Sequence, residues 1–349
     1  MRTNHKLYFK DSSNMCELKN DSIDLMITSP PYPMIEMWDP LFSSANYEIK
    51  KALEKEDGKK AFNLMHEDLN KVWREVGRVL KVGGIACVNI GDATRKIGKN
   101  FHLFPNHVKI THYFHSNNFT ILPCILWRKP TNIPNKFLGS GMLPPNAYVT
   151  LEHEYILICR KGNTKRKIEP KSEKRYNSAF FWEERNKWFS DLWEDIRGVP
   201  QNLNNPDNQN LRNRSAAYPF ELPYRLVNMF SVYGDVVLDP FWGTGTTSLA
   251  AMILARNSIG YEIDSDLIHL FKKNIREISQ LNKKINRNRL NQHIEFINNY
   301  KNEDKDIKYI STYYKFPVIT KQEKEILLYS VKRLTEDKNN FILDYDKFK

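Results

Sequence analysis

The chain has 349 residues, 41% hydrophobic, 12% aromatic and 27% charged, with a formal net charge of +12. That length suits one large domain with insertions or two domains, and the apolar share suffices for a sizeable core. The basic excess favours a polyanionic partner, nucleic acid first. No apolar run approaches the ~20 residues of a membrane span, and Met1 to Lys6 lack the apolar core of a signal peptide, so a cytoplasmic protein is expected. Cys16, Cys87, Cys124 and Cys159 form no Cys-x-x-Cys pair, which argues against a zinc knuckle and for reduced thiols.

Leu7-Tyr8-Phe9 reads as a short strand, and Asp11-Ser12-Ser13 as the cap of a helical turn. Ile23-Asp24-Leu25-Met26-Ile27 reads as a buried strand. Thr28-Ser29-Pro30-Pro31-Tyr32 follows. Its two prolines forbid helix and ladder pairing, so the backbone leaves the sheet in a stiff extended turn. The carboxyl end of a strand is where open α/β sheets hold ligands. Carbonyl acceptors beside the flat ring of Tyr32 suit the amino edge and face of a nucleobase; a turn that merely ends a strand is the other reading.

Residues 33–63 read as an insertion, with the apolar stretch 33–38 as a lid or pocket wall and a charged helix over 48–60. Leu64, Leu69, Val72, Trp73, Val76, Val79 and Leu80 recur at helical spacing, and Gly83-Gly84 should end that helix. A buried strand over 85–90 stops at Gly91-Asp92. His102, His107, His112 and His115 fall in a stretch read as helix; with no carboxylate or cysteine at ligand spacing they predict no metal site. Residues 119–127 and a segment centred on Tyr155-Ile156-Leu157-Ile158 predict two more strands, separated by a loop over 135–147.

Composition changes after residue 159. Arg160, Lys161, Lys165, Arg166, Lys167, Lys174 and Arg175 are interleaved with aromatic residues, and 199–214 is Asn-rich. Cations that hold phosphates, next to side chains that read base edges, suggest a nucleic-acid surface over 160–210. A solvated insertion with its own small core is the alternative. A helix over 216–231, a strand over 235–238, the loop 239–247, a helix over 248–255 and a strand over 258–262 follow. The charged remainder reads as helical, so 281–349 is expected to be a helical C-terminal extension.

Strand, Gly-x-Gly loop, helix and a strand that ends in an acid is a plan for binding a nucleoside. Gly243 and Gly245 permit a tight turn and close ligand approach. Glu262 can accept hydrogen bonds from both ribose hydroxyls, and Asp239 can meet an ammonium group. No Gly-Lys-Ser/Thr follows and a third glycine at dinucleotide-fold spacing is missing. A cationic nucleoside such as S-adenosylmethionine therefore suits this loop better than ATP or NAD.

With Ser29-Pro30-Pro31-Tyr32 added, the chain resembles the amino-methylating DNA methyltransferases of bacterial type II restriction–modification systems over most of residues 5–275. The motif order, catalytic before cofactor with a variable stretch between, is similar to the β class. Asn89-Ile90-Gly91-Asp92, Trp127 with Lys129-Pro130 and Asn132, His153-Glu154-Tyr155 and Tyr218-Pro219-Phe220 also match. The resemblance implies a Rossmann-like α/β fold, mostly parallel with helices on both faces. It implies a catalytic domain over 1–159 and 211–280, S-adenosylmethionine as cofactor, and double-stranded DNA as partner. No stable protein partner is required; the cognate restriction endonuclease shares the site but need not bind. Ser29, Pro30, Pro31 and Tyr32 are the implied catalytic residues. Asp239, Phe241, Gly243, Gly245, Thr246 and Glu262 would hold the cofactor. Trp38 and Trp127 are candidates for the base pocket, and Lys129 joins the basic run as a DNA contact. Family members with Ser at the first motif position mostly methylate cytosine N4 and those with Asp adenine N6, so Ser29 points to N4-methylcytosine. Adenine N6 methylation and a non-catalytic DNA-binding module are the alternatives. Pro123-Cys124 resembles the nucleophile dipeptide of C5-cytosine enzymes, but its apolar surroundings read as a strand.

Overall fold

Six consecutive buried residues make strand β2 (Ile23–Thr28), the centre of the molecule. A strand buried on both faces belongs inside a sheet covered by helices. The computed structural model describes residues 1–129, 138–197, 218–301 and 307–349. The other strands of the main sheet are β1 (Arg2–Phe9), β3 (Leu80–Ile90), β6 (Phe119–Arg128), β9 (His153–Lys161), β10 (Leu192–Trp193), β11 (Val236–Asp239), β12 (Asn257–Glu262), β15 (Tyr329–Asp337) and β16 (Asn340–Lys347). Their order across its ten strands is β10-β6-β9-β3-β2-β11-β12-β1-β16-β15, which sets β2 between β3 and β11. β3, β2, β11, β12 and β1 are mutually parallel; β9 and β16 flank them antiparallel. The chain proceeds outward from β2 to β3 on one side and from β11 to β12 on the other. The crevice at the carboxyl ends of β2 and β11 is thus the switch point of the sheet, where such folds bind ligands. The fold is the Rossmann-like α/β class that the sequence implies.

Helix Gly58–Val79 covers one face, capped by Asp57, whose side chain accepts from the Lys60 N–H at 3.0 Å. Its Phe62, Met65, Leu69, Val72, Trp73 and Val76 form one buried stripe. Gly83-Gly84 do not end this helix; they lie inside β3. The backbone of Arg166 crosses Gly83 so closely that a Cβ there would come within 2.4 Å of the Arg166 nitrogen, and Gly83 has φ +79°. The opposite face is covered by helices Glu221–Phe230, Thr246–Ile253 and Leu267–Ile275, whose apolar residues share one core with Leu25, Ile27 and Val237.

Other elements depart from the sequence reading. Residues 11–21 form turns without helix, because Asp11 accepts from the Ser13 N–H in a local turn. The stretch expected as helix from 102 begins as a hairpin, β4 (Ala93–Ile97) with β5 (Asn100–Phe104), and turns helical only at Asn106–Ser116. A second small hairpin joins β7 (Leu138–Gly139) to β8 (Ala147–Tyr148). Among the described residues of the expected helical extension over 281–349, the α-helix is Ile278–Lys301, with a short 3-10 helix at Lys321–Glu325. Beyond the α-helix lie a small ladder of β13 (Tyr309–Ile310) with β14 (Pro317–Val318), then the β15–β16 hairpin, which joins the main sheet beside β1. Val331, Phe341, Leu343 and Tyr345 alternate inward from that hairpin into the main core, a period-2 pattern hidden among charges. Residues 160–210, expected as a separate region, likewise supply β10 to the sheet at its far edge.

Candidate active site

The Ser29 turn and the Gly243 loop leave adjacent parallel strands in register: Leu25 pairs with Val237 and Met26 with Leu238. Thr28 Oγ1 donates to Asp239 Oδ1 at 2.6 Å and so ties the two strand ends together. Both turns open on one cavity of about 1430 Å³. Ser29, Pro31 and Trp38 line it together with Asp239, Phe241, Gly243, Thr244, Thr246 and Glu262.

Asp239 is 2% exposed and fully engaged. Besides Thr28 it accepts from Thr247 Oγ1 at 2.6 Å, the Phe241 N–H at 3.1 Å and Tyr218 Oη at 3.3 Å. Burial pushes its carboxyl above the usual range, and these donors oppose the shift. Glu262 accepts the N–H groups of Gly243 at 2.8 Å, Ile263 at 2.9 Å and Asp264 at 2.9 Å. Burial raises its carboxyl too, against those backbone donors. The Glu262–Gly243 bond fixes the loop, where Gly243 has φ +54° and Gly245 φ +78°. A Cβ on Gly245 would press to 2.4 Å from Phe271. Phe241 packs edge-on against Trp73, with ring centroids 5.8 Å apart.

The Ser29 turn has its own network. Asn89, at the end of β3, donates Nδ2 to Tyr32 Oη at 2.8 Å and to Glu154 Oε2 at 2.7 Å. Tyr32 Oη donates to Glu154 Oε2 at 2.9 Å and lies 3.0 Å from Ser29 Oγ. Lys129 closes the network by pairing with Glu154 Oε1. Burial and the Glu154 charge hold the Tyr32 phenol well above its ordinary range. Asn89, Glu154, Thr28 and Tyr218 are polar groups at this site to which the motifs gave no role. All four fall inside or beside the matched segments, and only pairing across strands brings them together. Cys124 lies on β6, three strands from β2, with no place here.

Two sets of candidates fall elsewhere. Trp127 is 1% exposed, its Nε1 donating to the Ile196 carbonyl at 2.9 Å, so it is a core residue and not a wall of the pocket. The basic run lies at the opposite end of the sheet. β9 is antiparallel to β3, with Tyr155 opposite Ile90 and Arg160 opposite Ile85, so the chain leaves β9 at the amino ends of the central strands. Lys161 there binds Asp21 at 2.8 Å, and Arg166 binds Asp24 at 3.0 Å and Asp235 at 2.8 Å. Lys165 and Arg175 line a separate cavity of about 870 Å³ with Asp24, and Lys174 lies against Gly234 just ahead of β11. Lys167 follows Arg166 on the same segment. Of the candidate DNA contacts, only Lys129 stands at the site. On the site face, the β4–β5 hairpin exposes Lys96 and Lys99, and its Phe101 stacks on Tyr148 of β8, with centroids 4.7 Å apart. The Asn-rich stretch 199–214, and Pro130 and Asn132, lie outside the described residues.

The model of the N6/N4 family of DNA methylases matches residues 23–273, from β2 to the helix that follows β12. The chain belongs to that family. It is 55% identical over 342 residues to the type II methyltransferase M.MthZI of Methanothermobacter thermautotrophicus, covering 97% of this chain and 94% of that one. It is 54% identical over 284 residues to the type II methyltransferase M.MjaI of Methanocaldococcus jannaschii, covering 78% and 91%. Among solved structures, it is similar to a protein from Thermus thermophilus, assigned as a DNA modification methylase and complexed with S-adenosyl-L-methionine. That match has a TM-score of 0.61 at 30% identity and covers 78% of this chain and 94% of the other. As a DNA amino-methylase, the protein brings its Ser-Pro-Pro-Tyr turn and its glycine loop to one cavity from segments some two hundred residues apart in sequence.

Proposed function

We propose that this protein transfers the methyl group of S-adenosylmethionine to the exocyclic N4 of cytosine in double-stranded DNA, as the modification enzyme of a type II restriction–modification system. The observation that carries the reading is the shared cavity, which Ser29 and the Gly243 loop both line.

The residues present suit the cofactor. Asp11, Asp68, Asp239, Glu262 and Asp264 line the cavity against only Lys10 and Lys71, a balance that favours a cation and disfavours a polyphosphate. Glu262 would hold the ribose hydroxyls, and Phe241, Gly243 and Thr246 the adenosine. Asp239 would contribute negative charge near the ammonium group, held in place by Thr28 and Thr247. When bound, the cofactor supplies a methyl group on a cationic sulfur.

This chain's own residues would then act on the base. The amino nitrogen of cytosine is a poor nucleophile because its lone pair is delocalised into the ring. Carbonyl oxygens of Ser29 or Pro30 would accept an amino hydrogen and favour a pyramidal nitrogen. Pro31 keeps the turn rigid, and Tyr32 presents a ring to the base. Asn89 Oδ1 is buried with no partner among the described residues, which leaves one more acceptor in this corner. Rate enhancement would come from orientation and preorganised dipoles, without a covalent intermediate. A base inside a duplex must be flipped out to reach such a pocket, and Trp38, which lines the cavity, would pack on it. Lys96, Lys99 and Lys129 would meet the phosphates.

Ser29 at the first motif position supports cytosine over adenine. The test is incubation with DNA and labelled cofactor, followed by digestion to nucleosides. N4-methylcytosine is expected. N6-methyladenine would overturn the choice of base, and no transfer at all would favour a non-catalytic module.

A further inference from the structure

We propose that Ser29, Tyr32 and Glu154 form a proton relay that carries the proton released by methyl transfer from the amino group to the protein surface. The inference rests on the methyl-transfer reading above and adds a fate for the proton.

The directions of the hydrogen bonds carry it. Glu154 Oε2 only accepts, and it receives Tyr32 Oη at 2.9 Å and Asn89 Nδ2 at 2.7 Å. Tyr32 has one hydroxyl hydrogen, which this bond uses. Its oxygen must then accept from Ser29 Oγ at 3.0 Å, as it does from Asn89 at 2.8 Å. Reversing the Asn89 amide would set its carbonyl against the carboxylate, so the order Ser29 to Tyr32 to Glu154 is the satisfied one. Every hydrogen in the chain points away from Ser29. Besides a long bond from Asn89 Nδ2 at 3.5 Å, the Ser29 oxygen keeps a lone pair for a proton arriving from the cavity. At the far end, Glu154 Oε1 pairs with Lys129, whose side chain is 40% exposed against 13% for Glu154. The chain thus runs from the cavity wall to solvent.

The step balances. The nitrogen lone pair forms the new bond to the methyl carbon, and the carbon–sulfur bond breaks with its electron pair going to sulfur. The nitrogen is left with one proton too many. That proton passes to Ser29 Oγ as the Ser29 proton passes to Tyr32 and the Tyr32 proton to Glu154. Ser29 and Tyr32 end as they began, Glu154 ends as a carboxylic acid, and it returns the proton to water beside Lys129. The phenol is never required as a free phenolate, in keeping with the raised Tyr32 value. Glu154 touches no substrate in this scheme; it acts through Tyr32.

The experiment measures single-turnover methyl transfer to DNA at saturating cofactor for the wild type, Glu154→Gln, Tyr32→Phe and Glu154→Ala, with and without added formate. Cofactor affinity is titrated separately. The expected result is a loss on the order of 10²-fold in Glu154→Gln and Tyr32→Phe at neutral pH, with cofactor affinity unchanged. Formate should restore part of the Glu154→Ala rate. A loss in Glu154→Ala that formate leaves untouched would overturn the relay and assign Glu154 to structure alone. A wild type that binds cofactor yet methylates no DNA would overturn the methyl-transfer reading, and the relay with it.

Discussion

Asp239→Asn separates what this residue does for the fold from what it does for the ligand. The carboxylate accepts four hydrogen bonds: Thr28 and the Phe241 N–H on Oδ1, Thr247 and Tyr218 on Oδ2. An asparagine can keep its oxygen on the Phe241 and Thr28 side, since a backbone N–H cannot rotate away. Its NH₂ then faces two hydroxyls that can turn and accept. The loss is the difference between charge-assisted and neutral bonds, offset because a buried charge is no longer desolvated. Net destabilisation of about 1–2 kcal/mol is expected. Cofactor binding should suffer more. A unit charge about 5 Å from an ammonium is worth roughly 3 kcal/mol at an effective dielectric of about 20, and partial solvation reduces this. A Kd increase of about 10- to 100-fold follows, or roughly 1.4–2.7 kcal/mol. Urea unfolding of the free protein and calorimetric titration with S-adenosylmethionine measure the two terms. A variant destabilised by more than about 3 kcal/mol, twice the upper end of a typical hydrogen-bond contribution, or one that binds cofactor as tightly as the wild type, would refute the argument.

Three further outcomes are expected. His66 and His5 are buried, and burial lowers their values to about 4 and about 3. The unfolded chain then binds more protons between roughly pH 6.5 and 4. Stability is present above that window and lost as pH falls through it, by up to about 3 kcal/mol for His66. A denaturation midpoint that holds steady from pH 7 to 4 would contradict this. Lys96→Glu combined with Lys99→Glu should weaken binding across DNA sequences and reduce the slope of log K against log salt by about 2; unaltered salt dependence would move the DNA surface elsewhere. Cys124→Ser should keep wild-type methyl transfer, and complete loss with an intact fold would reopen a covalent mechanism.

The sequence by itself determined the centre of this protein. The strand 23–27 and the turn after it, the glycine loop, and the acids Asp239 and Glu262 are local patterns: proline stiffness, glycine at positive φ, an acid at a strand end. Each is set by residues close together in the chain, so each could be read there. Only the tertiary structure decided which end of the sheet a residue serves. The basic run from Arg160 looked like a surface for DNA, yet one antiparallel strand, β9, delivers it to the amino ends of the central strands, where Lys161 and Arg166 meet Asp21, Asp24 and Asp235. Trp127 became core for a related reason: its strand pairs with β10, whose place in the sheet no local pattern announced. The hairpin near the C-terminus was masked by charge on its outer face and recruited by the edge of β1. Ser29 and Tyr32 share one turn, and Asn89 and Glu154 are ordinary polar residues on two other strands. Their hydrogen-bonded chain exists because β2, β3 and β9 are neighbours in the sheet.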